Sequence, residues 1–352
     1  MKNLKTLCTP LSHLGKMCAY GLLNNMPSPQ RSSYKARKVT TCTLLAATIL
    51  FSGCKSDDDS SSYIDIPEPP TAQEFNALIQ NTLESYIQDF QFEADGSTVE
   101  FNSEAGVQLQ INTGCLTLNG NAVTGTVDLE YIELFSKADM LVTNKPTMGI
   151  LPDNSRDVMV SGGEFYINLT QNGTQLEAIC EYRLRVPDEL TGGEDQNMEL
   201  WDGIIDQNGD LSWESNSSSV FYEGGSYYAF LDRFGWTNID RFTADPRPKT
   251  TINVQVPDGY NLGNSKIYIS YDGENHLLGT VHIFNDGVFS EHYGKLPVGL
   301  ACHIIFITER NGNFSYAIKP ITIEENHTIS FSIPETTTGT QDDILTAIEA
   351  LP

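Results

Sequence analysis

The chain has 352 residues with 21 basic and 46 acidic side chains, and a net charge of −25 argues against a nucleic-acid binder, which must neutralise phosphates. Hydrophobic residues make up 39% and charged residues only 19%, with 15 Tyr, 16 Phe and 28 Gly, so the chain can bury real cores and is not disordered overall. Its length suits two or three domains.

Residues 1–53 carry seven basic side chains and no acidic one, so the two parts of the chain have opposite sign. After Arg37 and Lys38 comes an apolar run from Val39 to Phe51. It is shorter than the roughly 20 residues a spanning helix needs and ends in Ser52-Gly53-Cys54, the outline of a signal peptide. Small residues just before a cysteine resemble the lipobox of bacterial lipoproteins, with Phe51 where Leu is usual. The resemblance implies that Cys54 is acylated and becomes the mature first residue, so that the membrane is engaged through a lipid anchor. The following Lys55-Ser56-Asp57-Asp58-Asp59 resembles the export signal of surface-displayed lipoproteins, which implies an outer-membrane, outward-facing protein. Met26 would begin a conventional-length signal peptide, leaving Met1 and Met26 both open as starts.

Residues 54–70, rich in Ser, Asp and Pro, read as a tether that cannot bury enough apolar area to fold. From Thr71 to Phe90, Phe75, Leu78, Ile79, Leu83, Tyr86, Ile87 and Phe90 share one stripe, with Thr71 and Glu74 spaced as a capping box. A helix over 71–90 follows, its aromatic stripe packed on the β-domain after it. The period then changes to two, at Val99-Glu100-Phe101, Val107 to Ile111, Val123 to Leu134, Gly163 to Asn172 and Thr174 to Pro187.

Hairpin dipeptides recur at Asp95-Gly96, Asn172-Gly173, Asn208-Gly209, Asp258-Gly259, Asp272-Gly273, Asp286-Gly287 and Asn311-Gly312, a density expected of sandwiches. Six further strands are expected at Thr251–Pro257, Lys266–Tyr271, Leu277–Phe284, Cys302–Glu309, Ser315–Ile323 and Thr328–Pro334, then a short helix from Gln341 to Leu351 begun by Thr340. The predicted fold is all-β, with tandem antiparallel sandwiches. The domains are a leader (1–53), a tether (54–70), a helix plus first β-domain (71–195), an aromatic connecting region (196–248), a second sandwich (249–335) that could fold alone, and a terminal helix (336–352).

Four cysteines follow the leader: Cys54, Cys115, Cys180 and Cys302. Thiols so widely spaced in β-rich sequence are more often simply buried than bridged, so Cys115 and Cys180 are expected to be buried thiols.

The block from Val107 to Pro187 resembles a ZU5-type β-domain, as in a family of bacterial surface lipoproteins of mostly unknown role. The resemblance sits in Val123-Thr124-Gly125-Thr126-Val127, Ala138-Asp139-Met140, Asn144-Lys145-Pro146-Thr147 and the run Val160 to Tyr166, with a second signature from Phe234 to Phe242. Ile111-Asn112-Thr113-Gly114 lacks the proline usual after this strand, and Ile239 stands in place of a cysteine. The resemblance implies a ZU5-like domain followed by an Ig-like one, serving protein interaction. The His-Phe-Ser sequence at which related modules cleave themselves is absent, Phe289-Ser290 being preceded by Val288.

No nucleophile elbow, zincin helix or phosphate-cradling glycine loop occurs, and no catalytic residue is assigned. His276, His282, His292, His303 and His327 fit no ligand spacing and read as surface or structural residues. Asp206-Gln207-Asn208-Gly209-Asp210 with Glu214 offers oxygen ligands for calcium but reads better as a hairpin turn, and no cofactor is expected. Trp201, Trp213, Tyr227, Tyr228 and Trp236 crowd the middle region and read as core sooner than as a glycan platform, with Trp201, Trp213 and Trp236 the candidate binding residues if a platform exists. The leading expectation is a non-catalytic lipoprotein for adhesion or envelope assembly. The alternatives are a glycan-binding lipoprotein of an outer-membrane uptake system and an enzyme with a carboxylate site built from distant strands.

Overall fold

The computed structural model describes residues 67–206 and 209–352. Cys54, the segment Lys55 to Asp59 and the leader lie outside the described residues, as do Gln207 and Asn208. Residues Glu68–Pro352 form one compact unit. Among the described residues the protein is mostly β-strand, in five sheets, with three α-helices.

Helix α1 (Ala72–Glu84) starts as its sequence requires: the Thr71 hydroxyl accepts from the Glu74 amide, and the Glu74 carboxylate accepts from the Thr71 amide. Phe75 and Ile79 are buried, each such burial contributing roughly 1.5–3 kcal/mol before entropy is subtracted. The helix stops at Ser85, short of the expected Phe90. Gln88–Ala94 is instead a strand paired with Gly125–Leu134, placing Phe90, Phe92 and Ala94 on the inward face, with Phe92 and Ala94 buried and Phe90 at the open rim, its ring 5.2 Å from that of Phe101. Tyr86, Ile87 and Phe90 extend the helical spacing by coincidence, and the backbone bonds of a long neighbouring strand override it.

Sheet I is eight-stranded and runs Gln88–Ala94, Gly125–Leu134, Arg156–Gln171, Gly235–Phe242, Glu199–Ile205, Leu211–Ser215, Met148–Ile150, with Thr174–Gln175 hairpinned onto Arg156–Gln171. Sheet II has five strands in the order Val220–Glu223, Ser226–Leu231, Tyr182–Pro187, Gln108–Asn112, Thr98–Asn102. Between them lies a core that includes Leu109, Val127, Tyr131, Phe165, Ile167, Leu184 and Tyr227. Residues 196–248, set apart in the sequence as a connecting region, supply three strands to sheet I and two to sheet II. The short segments Leu116–Leu118 and Glu177–Ala178 pair beside this core, and a Cys115–Cys180 disulfide with a Cα–Cα distance of 5.7 Å staples them. The expected pair of buried thiols is thus corrected: the pairing of two segments far apart in sequence brings the sulfurs together. Cys302 alone among the described residues is a free thiol, and it is buried.

Sheet III consists of Ile283–Asn285, Val288–Pro297, Lys249–Gln255 and His327–Ser330. Sheet IV consists of Gly279–Thr280, Ser265–Tyr271, Ala301–Arg310, Asn313–Thr322 and Thr337–Gly339. Strict alternation sends Ile267, Ile269, Ile304 and Phe306 into the core between these two sheets, where Ile252, Val254, Ile323 and Ile329 meet them. The intervening Tyr268, Ile305, Ile307 and Phe314 face the other way. There they pack with Phe75 of α1, with Ala138 and Leu141 of α2 (Lys137–Val142), with Ile344 and Ile348 of α3 (Gln341–Glu349), and with Ile132 and Leu134 of sheet I. Sheet IV is therefore buried on both faces, and α1 packs on residues of both β-domains. Three hairpins turn on residues at positive φ: Asn172 (52°), Asp286 (50°) and Asn311 (53°), each followed by a glycine.

Candidate functional site

The three tryptophans share one face of sheet I. Trp201 lies opposite Asn238, Trp213 opposite Gly203, and Trp236 opposite Tyr166. That face is covered. Trp201 and Trp213 are buried, and their indole nitrogens donate to the carbonyls of Asp240 at 2.9 Å and Pro146 at 3.1 Å. Trp236 is partly buried, tilted against Tyr166 with ring centroids 5.3 Å apart and lying under the Lys145 ammonium. Gly203 is what allows the three to close up, because a Cβ there would stand 2.4 Å from the Trp236 Cβ. Of the two readings of these positions, core fits and a glycan platform does not: Trp201 and Trp213 are core with their indole nitrogens satisfied by backbone carbonyls, and Trp236 is partly buried beside them.

The same face holds a layer of buried charge. Helix α2 ends where Asn144 takes a positive φ of 54°, which turns Lys145 inward. Burial pulls the Lys145 amine down to about 8, against the opposing pull of Glu164 and Asp210. Glu164, opposite Asn238, is fully buried and neither carboxyl oxygen has a hydrogen-bond partner among the described residues. Asp240 accepts from the Asn238 amide at 2.6 Å, with Ser161 and the Gly162 backbone also beside its carboxyl. Burial raises both carboxyls well above the usual range, and the nearby Asp240 raises Glu164 further. These two carboxyls are the closest approach to the acid–base pair that convergence of distant strands could build, but they are sealed from solvent.

Beyond Lys145, Lys266 donates to Asp210 at 2.5 Å in a mostly buried ion pair, and Asn144 links Asp210 at 3.2 Å to the Tyr268 hydroxyl at 2.7 Å. Asp210 is therefore engaged inward, and the amide of Asp210 donates to the Asp206 carboxylate in a closed turn. A small cleft opens above this pair, lined by Asn144, Arg156, Leu262 and His282. Among the described residues no group of three or more His, Cys, Asp or Glu side chains could hold a metal ion. His303 lies 2.8 Å from Asp272, and His276 lies 2.8 Å from the Phe135 carbonyl.

The open surface that does present aromatic rings is the outer face of sheet II, where Tyr228, one of the aromatics singled out in the sequence, stands with Phe221, Phe230, Arg183 and Arg185, which were not. Cross-strand register sets two parallel rows there. The first runs Phe221, Tyr228, Arg185, Gln108, Asn102, and the second runs Phe230, Arg183, Gln110, Glu100. Phe221 is 56% exposed on the edge strand, and its ring meets Phe230 edge-on at 6.1 Å. The Arg183 guanidinium sits 5.9 Å from the Tyr228 ring centroid, and Arg185 donates to Gln108 at 3.2 Å. Among the described residues neither arginine has a carboxylate within ion-pair distance. The signal in the sequence was the alternation Tyr227-Tyr228-Ala229-Phe230 and Tyr182-Arg183-Leu184-Arg185: Tyr227, Ala229 and Leu184 face the core, so their neighbours must face out.

No protein-family model matches the chain, and comparison with curated proteins finds no significant match.

Proposed function

We propose that this chain is a non-catalytic bacterial lipoprotein, acylated (palmitate among its acyl chains) at Cys54, exported by Lys55-Ser56-Asp57-Asp58-Asp59 and held outward-facing on the outer membrane. In this reading its lobes are tandem β-sandwiches, ZU5-like then Ig-like, and they serve adhesion or envelope assembly. The observation that carries the binding role is the outer face of sheet II, where exposed Phe221, half-buried Tyr228 and Phe230, and two arginines with no carboxylate within ion-pair distance among the described residues stand in cross-strand register. A binding role is further supported by the burial of the two elevated carboxyls, Glu164 and Asp240, away from any opening.

Two variants test it in intact cells. Cys54→Ala should abolish palmitate labelling and release the protein from the membrane, and labelling at wild-type level contradicts the anchor. A photo-reactive amino acid at position 228 should crosslink to envelope material where one at exposed Glu325 does not. Equal crosslinking from both positions contradicts the binding face.

A further inference from the structure

Resting on that reading of the sheet II face, we infer that its ligand is an anionic polysaccharide, bound with a sugar ring over Tyr228 and Phe221 and its carboxylate or sulfate group on Arg185 and Arg183. Charge complementarity carries the choice. A chain of net charge −25 repels anions over most of its surface, yet this face places two guanidinium groups side by side with no carboxylate within ion-pair distance of either among the described residues. Each guanidinium offers five donors in a planar fork that matches a carboxylate or sulfate, and Arg185 commits one of them to Gln108.

The rows have a polarity. At one end stand the rings of Phe221, Tyr228 and Phe230, with Arg185 and Arg183 directly across from Tyr228 and Phe230. The arginine strand follows, then the amides of Gln108 and Gln110, which can donate to and accept from hydroxyls. Strands about 4.8 Å apart make the five-residue row roughly 19 Å long and the four-residue row roughly 14 Å, enough for a short oligosaccharide lying across the strands. Glu100 closes one row at the far end, so the anionic substituent belongs over the arginines and not over the final strand. An acidic polypeptide would satisfy the arginines but would leave the ring-and-amide sequence unexplained.

The full-length lipoprotein in detergent micelles tests this by calorimetric titration. The probes are an oligogalacturonate (carboxylate), a heparin oligosaccharide (sulfate), a neutral cello-oligosaccharide and polyglutamate. Saturable binding of the first or second probe is expected, weakening as salt rises, and which of the two binds identifies the anion. Tyr228→Ala and the pair Arg183→Gln with Arg185→Gln should each weaken it at least tenfold. Trp201→Phe, in the buried face, should leave it unchanged. Stronger binding of polyglutamate than of either acidic sugar overturns the inference in favour of an acidic polypeptide, and binding by neither sugar overturns it outright. In both cases selective crosslinking from position 228 in cells would leave the binding face itself standing, so the two failures are distinguishable.

Discussion

Glu164 lies directly opposite Asn238 where the strand Arg156–Gln171 pairs with Gly235–Phe242, and both side chains are fully buried. The pairing joins two stretches about 75 residues apart whose local patterns stood out separately in the sequence. A register irregularity between Asn238 and Asp240 brings Asp240 onto Ser161, and Gly162 passes so close to the Ile239 carbonyl that a Cβ would stand 2.8 Å from it. The extra residue lies on Arg156–Gln171, where Gly162 and Gly163 stand opposite the single Ile239, so a bulge built of small residues makes room for polar side chains inside an apolar layer.

This buried acid pair predicts how stability varies with pH. Burial holds both carboxyls protonated in the folded state above the pH at which they ionise in the unfolded chain. The unfolded chain then binds fewer protons, so this contribution is present at low pH and is lost as pH rises. His282, pulled down to about 4, works oppositely but only below its ordinary value of 6.5, and Lys145 begins to oppose only from about 8. Between pH 6.5 and 8 urea-unfolding stability should fall, with each carboxyl contributing up to about 1.4 kcal/mol per pH unit. Glu164→Gln should flatten the slope. A slope unchanged in that variant would show that Glu164 is ionised in the fold.

The Cys115–Cys180 bridge closes a loop with a sequence separation of 65. Constraining that loop in the unfolded chain is worth about 4 kcal/mol in the chain-entropy model. Cys115→Ser with Cys180→Ser should lower unfolding stability by 2–5 kcal/mol, on the order seen for native bridges. Urea titration of the oxidised protein beside this variant checks it, and coincident curves would contradict it.

Gly203 is the steric hinge of the tryptophan layer. Gly203→Ala should cost about 1–3 kcal/mol, because its methyl collides with Trp236, Leu211 and Trp213 at 2.4, 3.0 and 3.1 Å. Trp213→Ala should cost about 3–5 kcal/mol through lost packing and leave the Pro146 carbonyl without its donor. Thermal melting of both variants is the measurement, and a melting temperature unchanged in either would place that site outside the core.

Residues 249–352 should not fold alone, contrary to what their own alternating strands and turns suggest. One face of sheet IV, including Tyr268, Ile305 and Ile307, is covered by α1, α2 and strands of sheet I. Removing these covers leaves an apolar face open to water. Circular dichroism of the fragment should show no cooperative melt, whereas a cooperative β melt would show that this layer contributes little.

Alternation was legible directly in Gly125–Leu134 and Lys249–Gln255, where one face meets water, but not in Gln88–Ala94, whose aromatic spacing also suits a helix. The turns Asn172-Gly173 and Asn311-Gly312 and the caps Thr71 and Thr340 carry their chemistry locally and read correctly. Val288–Pro297 was missed: its polar and half-buried run lacks an apolar period, and partners 249–255 and 283–285 define it. Leu277–Phe284 was read as one strand but forms only Gly279–Thr280 and the start of Ile283–Asn285. The candidate site fared worst for the same reason. Whether a tryptophan is exposed depends on what covers its sheet, and the covering loop around Lys145 lies far away in sequence.

The most direct test of the account compares wild type, Arg185→Gln with Tyr228→Ala, and Trp201→Phe by affinity capture of the full-length lipoprotein from intact cells, quantifying co-captured protein and sugar. The sheet II double variant, with an unchanged melting temperature, should lose most of the captured material while Trp201→Phe retains it. Undiminished capture by the double variant, or equal loss in Trp201→Phe, would contradict the claim that sheet II is the binding face.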